Sequence, residues 1–136
     1  MKSAKQKYDD TNKKGEFKKQ TPKGLMYISS PREIAEIIKT IPLGKVMTTK
    51  QIVAKLTEKH KVDFTCALTT GIFIGVIANY VEEMNLSDIP YWRVVKDKGI
   101  LYDRYFRLPS KQAELLKSEG WDIISYGKKQ IPAIKL

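Results

Sequence analysis

The chain has 136 residues, 42% of them hydrophobic, with 25 Lys and Arg against 15 Asp and Glu, a net charge of +10. That length suits one domain with one core, and the charge favours a polyanionic partner, nucleic acid ahead of an anionic membrane surface. A lone cysteine, Cys66, excludes an internal disulfide and a thiolate zinc cluster, and a lone histidine, His60, cannot fill a metal site by itself, so no metal and no cofactor are expected. No apolar run reaches the roughly 18 residues of a membrane span, and the lysine-rich start lacks the apolar stretch of a secretory signal; a soluble, cytoplasmic protein is the expectation.

Residues 1–24 carry eight lysines against Asp9, Asp10 and Glu16, with few apolar residues between them. Such a stretch buries too little surface to offset ordering, which predicts a disordered basic arm ahead of a single domain over 25–136. The arm would track phosphates or simply keep the chain in solution.

Ser30-Pro31-Arg32-Glu33 combines an N-cap, a first-turn proline and a glutamate three residues after the cap. Ile34, Ile37, Ile38 and Ile41 then recur at helical spacing until Pro42 and Gly44 end the pattern, predicting a core helix. Thr48 and Gln51 repeat the capping logic for a second helix reaching about His60, which is expected at its exposed end. The apolar run from Gly71 to Val81 predicts a third helix, capped by Thr69 or Thr70 and ending near Asn85. Asn79 inside this run needs partners, and a role in holding a neighbouring loop follows.

Asp88-Ile89-Pro90-Tyr91-Trp92-Arg93-Val94-Val95 has the β-branched and aromatic content of a buried strand. Its aromatics would serve equally as faces on which bases stack. Lys96-Asp97-Lys98-Gly99 reads as a turn, with Ile100-Leu101-Tyr102 as the return strand of a hairpin. Pro109-Ser110 opens a fourth helix over 111–119, Gly120 closes it, and 123–126 with 131–134 read as a terminal hairpin, or as a strand and a loose end.

Helix, capped helix, apolar helix, hairpin, helix is the order of a winged-helix module, a mainly helical α+β fold with a small β-hairpin wing. Ile41-Pro42-Leu43-Gly44-Lys45-Val46, Gln51-Ile52, Ile89-Pro90 with Arg93-Val94-Val95, Gly99, and Leu115-Leu116 with Glu119-Gly120 make the likeness specific. In this order, over roughly 30–121, they resemble the DNA-binding domain of the O6-alkylguanine-DNA alkyltransferases. That family's signature is Pro-Cys-His-Arg-Val, where this chain has Pro90-Tyr91-Trp92-Arg93-Val94.

The resemblance therefore puts Tyr91 in place of the alkyl-accepting cysteine and Trp92 in place of the histidine base. A phenol is a poor nucleophile beside a thiolate, and an indole has no basic nitrogen. It implies no catalytic residue, with Glu119 and Asn79 retained, and Arg93 as a structural tie for the hairpin. The family's base-pocket tyrosine would correspond to Tyr105. Its base-rotating tyrosine falls at Thr49 and its inserted arginine near Thr70, so two base-flipping tools are missing. What remains is similar to the alkyltransferase-like proteins, which lack the cysteine and bind damaged DNA without repairing it.

The resemblance implies a non-enzymatic DNA-binding protein whose partner is double-stranded DNA, alkylated DNA included. Lys45, Thr49, Lys50, Thr70, Lys96, Lys98 and Arg104 are the candidate DNA contacts, with the 96–99 turn as a wing. Tyr91, Trp92 and Tyr105 would line a base pocket, or the first two would fill it. The alternative is a winged-helix protein-interaction module that has lost DNA binding. A third reading, a nucleophile relocated to Cys66 at the start of the third helix, competes with its being a small buried hydrophobe.

Overall fold

The helix starting after Ser30 organises the fold in this computed structural model, which describes residues 2–102 and 109–136. Ser30 accepts a hydrogen bond from the Glu33 amide and Pro31 takes the first helical position, so the helix runs Pro31–Ile38, following three elements nearer the N-terminus. In chain order the elements are α1 (Ala4–Lys14), β1 (Phe17–Thr21), β2 (Gly24–Ile28), α2 (Pro31–Ile38), β3 (Met47–Thr48) and α3 (Thr49–His60). After them come β4 (Phe64–Thr65), α4 (Ala67–Met84), β5 (Val94–Val95), α5 (Pro109–Ser118), β6 (Ile124–Tyr126) and β7 (Ile131–Ala133). The mainly helical α+β architecture expected from the sequence is the one observed.

Ile34 and Ile38 of α2, Ile52 and Leu56 of α3, and Ile74 and Ile77 of α4 are wholly buried and form one core with Tyr91 and Val94. A second, smaller cluster joins Val95, Leu101, Leu116 and Ile134. The α3 capping box forms as expected, with Thr48 accepting from the Gln51 amide and the Gln51 side chain accepting from the Thr48 amide. α4 starts earlier than expected. Its cap is Cys66, whose sulfur accepts from the Thr69 amide at 3.5 Å, and its C-cap is Asn85 in the left-handed conformation.

The N-terminal region departs from the expected disordered arm. Ser3 caps α1, Tyr8 stacks on Tyr80 of α4 with ring centroids 4.0 Å apart, and the amides of Ala4 and Lys5 donate to the Glu83 carboxylate. Phe17–Thr21 then pairs antiparallel with Gly24–Ile28, and β2 continues in parallel to β4, giving the order β1-β2-β4. A few well-placed contacts to α4 and Tyr27, buried in the core, anchor a segment that is polar on average.

The 96–99 segment is a turn, closed by the Lys96 amide donating to the Ile100 carbonyl at 2.7 Å. The strand entering it pairs elsewhere than expected. Val94 and Val95 pair in parallel with Met47 and Thr48, and the return segment 99–101 hydrogen-bonds to residues 132–134. The terminal hairpin β6–β7 forms as expected, with Ile124 opposite Ala133.

Candidate nucleic-acid interface

Tyr91, Trp92 and Arg93 form a single turn of 3-10 helix rather than a strand. Pro90 precedes it, and the Arg93 amide donates back to the Pro90 carbonyl at 3.0 Å, turning the three side chains in different directions. Tyr91 is 1% exposed and donates its hydroxyl to Glu82 of α4 at 2.6 Å. Burial, then the Glu82 carboxylate, push its phenol well above the ordinary tyrosine range, so it stays neutral. Trp92 meets the Tyr91 ring edge-on and donates its indole N–H to Glu119 at 2.9 Å.

Arg93 completes the cluster. Its Nε and one Nη donate to the two oxygens of Glu119, at 2.9 and 2.8 Å, and the other Nη donates to the Ile41 carbonyl at 2.7 Å. One guanidinium thus ties the end of α5 and the α2–β3 connection to the 3-10 turn. Burial raises the Glu119 carboxyl, but the hydrogen bonds from Arg93 and Trp92 outweigh it and hold the group below its usual value.

Gln112 was not singled out in the sequence, yet it is wholly buried and connects this centre to its surroundings. Its amide nitrogen donates to the Val94 carbonyl at 2.7 Å and its oxygen accepts from the Tyr102 amide at 2.7 Å. The available signal was a glutamine four residues before Leu116, on the apolar face of α5.

Beyond Val95 and Tyr102 the surface opens into a groove of about 660 Å³. Thr49, Lys50, Leu68, Gly71, Lys96, Lys98, Tyr102 and Tyr126 are among its walls. Thr49 shares a hydroxyl–hydroxyl hydrogen bond with Tyr102. The Lys96 ammonium lies 5.4 Å from the Tyr102 ring centroid, and that of Lys98 lies 5.8 Å from Tyr126. The fold therefore brings four of the expected contact residues, Thr49, Lys50, Lys96 and Lys98, to one groove, although they come from separate parts of the chain. Tyr91 and Trp92 are not among its walls.

Other candidates are placed differently. Thr70 is 1% exposed and donates its hydroxyl back to the Cys66 carbonyl at 2.8 Å, which also accepts the Thr70 amide, instead of facing outward. Lys45 is exposed in the turn before β3, outside the groove. Asn79 is half-buried on α4. Arg104 and Tyr105 lie outside the described residues. Cys66 is half-buried, with its sulfur 3.1 Å from the Thr69 hydroxyl.

His60 is not at an exposed helix end. It stacks on Tyr27 at 3.8 Å and bonds Glu33 at 2.7 Å, because α3 ends against β2 and α2. Glu33 also accepts from Tyr27 and Ser29, each at 2.6 Å, and from Lys59 at 3.1 Å. Burial raises this carboxyl, yet its donors prevail and bring it down to about 2. A second groove, of about 490 Å³, runs beside it with Arg32, Lys55 and Lys59 facing Glu16, Glu33 and Glu36, so its charges are balanced.

No protein-family model and no curated protein matches the sequence. Among solved structures, the chain is similar to the alkyltransferase-like protein ATL of S. pombe in complex with DNA, at 20% identity and a TM-score of 0.52. It is also similar to S. pombe Atl1 in complex with damaged DNA containing O6-carboxymethylguanine, at 22% identity and a TM-score of 0.50. Each match covers 78% of this chain and 86% of the other. The chain shares the fold of these two DNA-bound alkyltransferase-like structures.

Proposed function

We propose that this protein binds double-stranded DNA, alkylated DNA included, and transfers no alkyl group. One observation carries the reading: in a fold shared with DNA-bound proteins, three lysines from two elements, Lys50 of α3 and Lys96 and Lys98 of the 96–99 turn, rim one groove beside a centre that holds no nucleophile. Lys50, Lys96 and Lys98 would meet phosphates, giving affinity that depends on salt. Tyr91 and Trp92 occupy the centre as packing groups. The phenol is neutral, buried and committed to Glu82, and the indole can only donate. Neither supports alkyl transfer, which requires an activated nucleophile and a base to activate it.

The test is a binding titration of the full chain against two matched duplexes, one containing O6-methylguanine, each at two salt concentrations. Binding that weakens steeply with salt is expected, with no change in the intact mass of the protein after incubation. Tighter binding to the lesion would place alkylated guanine among its ligands, and equal binding would restrict the reading to duplex DNA. A mass gain would overturn the non-enzymatic part, and no binding at low salt would overturn the whole.

A further inference from the structure

We propose that the β1–β2 hairpin is a second phosphate-binding wing for the bound duplex, an inference that rests on the DNA-binding reading above and carries the footprint beyond the groove. Its charge has one sign. Residues 17–32 contain Lys18, Lys19, Lys23 and Arg32 and no acid, and β1 is exposed from Phe17 to Gln20. The acids that flank the hairpin are committed elsewhere. Glu16 accepts from the Ser30 hydroxyl at 2.7 Å and pairs with Arg32, and Asp63 accepts from the Leu25 amide at 2.7 Å. Among the described residues no ion pair engages Lys19, Lys23 or Lys61.

The hairpin is held in place. The Thr21 hydroxyl donates to the Gly24 carbonyl at 2.8 Å and accepts from the Lys23 amide at 3.2 Å, closing the turn. Gly24 has a φ of +129°, and a Cβ there would overlap the Asp63 side chain, so the tip lies directly against the α3–β4 connection. That contact brings Lys23, two residues from Leu25, and Lys61, two residues from Asp63, to one end of the sheet. Lys19 is in register with Met26 and Phe64, and β4 leads through Cys66 into Ala67 and Leu68, walls of the lysine groove. The sheet meets the His60 end of α3, whereas Lys50 and the 96–99 turn stand at its Thr49 end. The 12 residues of α3 span about 17 Å, the rise of about five base pairs. A duplex that lies in the groove and follows α3 therefore passes from one set of lysines to the other. Lysines on an edge strand ordinarily only keep other strands away, but Lys23 in a turn and Lys61 at a helix cap have no edge to guard. Such cations fit phosphates and carry no sequence preference.

The experiment uses the full chain and a set of duplexes in which one phosphate at a time is neutralised as a methylphosphonate. The wild type is expected to lose affinity at two clusters of phosphates, about five base pairs apart. Lys19→Ala combined with Lys23→Ala should abolish the penalty at one cluster only and flatten the slope of log affinity against log salt by about 1.8. Lys61→Asn should flatten it by about 0.9 without loss of stability, because asparagine suits the left-handed cap, at φ +53°, at least as well as lysine does. Lys55→Ala combined with Lys117→Ala removes the same charge from α3 and α5 and should leave both clusters and the slope as they are. A single cluster in the wild type, two clusters that survive in the hairpin variant, or an equal flattening in the α3–α5 variant would overturn the second wing and leave DNA binding standing. No binding by the wild type at low salt would remove both.

Discussion

Trp92 and Glu119 are joined by a 2.9 Å hydrogen bond in which the indole donates to a carboxylate that also receives Arg93. Where a histidine–glutamate pair would polarise a base, this pair only fixes position. Its neighbour sets its energetic weight: the Arg93 and Glu119 side chains are 14% and 8% exposed, so the ion pair is shielded from water.

Glu119→Ala should therefore destabilise the protein by about 3–5 kcal/mol, because it leaves the Arg93 charge buried without a counterion. Glu119→Gln retains part of the hydrogen bonding and should cost less. Thermal unfolding of the two variants checks the order. Equal, small losses would show that Arg93 finds water when its partner is removed.

Tyr91 offers a sharper test of the centre. Tyr91→Phe deletes the donor to Glu82 and should cost about 1–2 kcal/mol without affecting binding to duplex DNA. Tyr91→Cys should restore no alkyl transfer, since Trp92 provides no base, and truncating a buried aromatic should cost about 3–5 kcal/mol. Intact mass after incubation with O6-methylguanine duplex, together with chemical denaturation, reads both outcomes.

The parts of the fold that were legible in the sequence are those specified by neighbours. Ser30 with Glu33 and Thr48 with Gln51 act across one helical turn, so the starts of α2 and α3 could be read directly. The α1 helix could not, because the groups that dock it lie 78 and 79 residues away on Glu83, and Tyr8 needs Tyr80. His60 failed for the same reason, its partners being on α2 and β2. The lysines of the groove were identified singly, but their convergence depends on Val94 and Val95 pairing with Met47 and Thr48, a parallel pairing of two-residue strands that no local pattern announces. Thr70 was misplaced because one residue of shift on a helix turns a side chain by about 100°.

Glu33 predicts the acid limb of stability. Its carboxyl sits at about 2 in the folded protein against an ordinary 4.5. A depressed folded value contributes stability that is fully present above about pH 5 and is lost as pH falls from there towards 2. A gap of this size is worth on the order of 3 kcal/mol at neutral pH. Glu33→Gln should lower stability at pH 7 and flatten its decline between pH 5 and 2, which denaturant midpoints across that range would show. An unchanged slope would assign the acid sensitivity elsewhere.

Gly99 links the groove to the C-terminal hairpin. Its φ is +81°, and a Cβ there would overlap the backbone carbonyl of Ile134, whose amide donates to the Gly99 oxygen at 2.9 Å. Gly99→Ala should cost well over about 1 kcal/mol, because both the backbone conformation and the close approach are lost. It should also weaken DNA binding beyond what unfolding explains, since Lys96 and Lys98 lie in the turn that the displaced residue closes. Affinity measured well below the melting temperature separates the two effects.

The lysines themselves make the most quantitative prediction. Each phosphate contact contributes about 0.9 to the slope of log affinity against log salt. Lys50→Ala, Lys96→Ala and Lys98→Ala should each flatten that slope by about this amount, and the triple variant by about three times as much. Lys55 lies about 140° around α3 from Lys50 and faces the groove of balanced charge. Lys55→Ala should leave the slope as it is. If Lys55→Ala flattened the slope as much as Lys50→Ala, the DNA would be held by net charge spread over the surface. If only the groove variants do so, the groove is the path of the phosphate backbone, and the number of units lost counts the phosphates it holds.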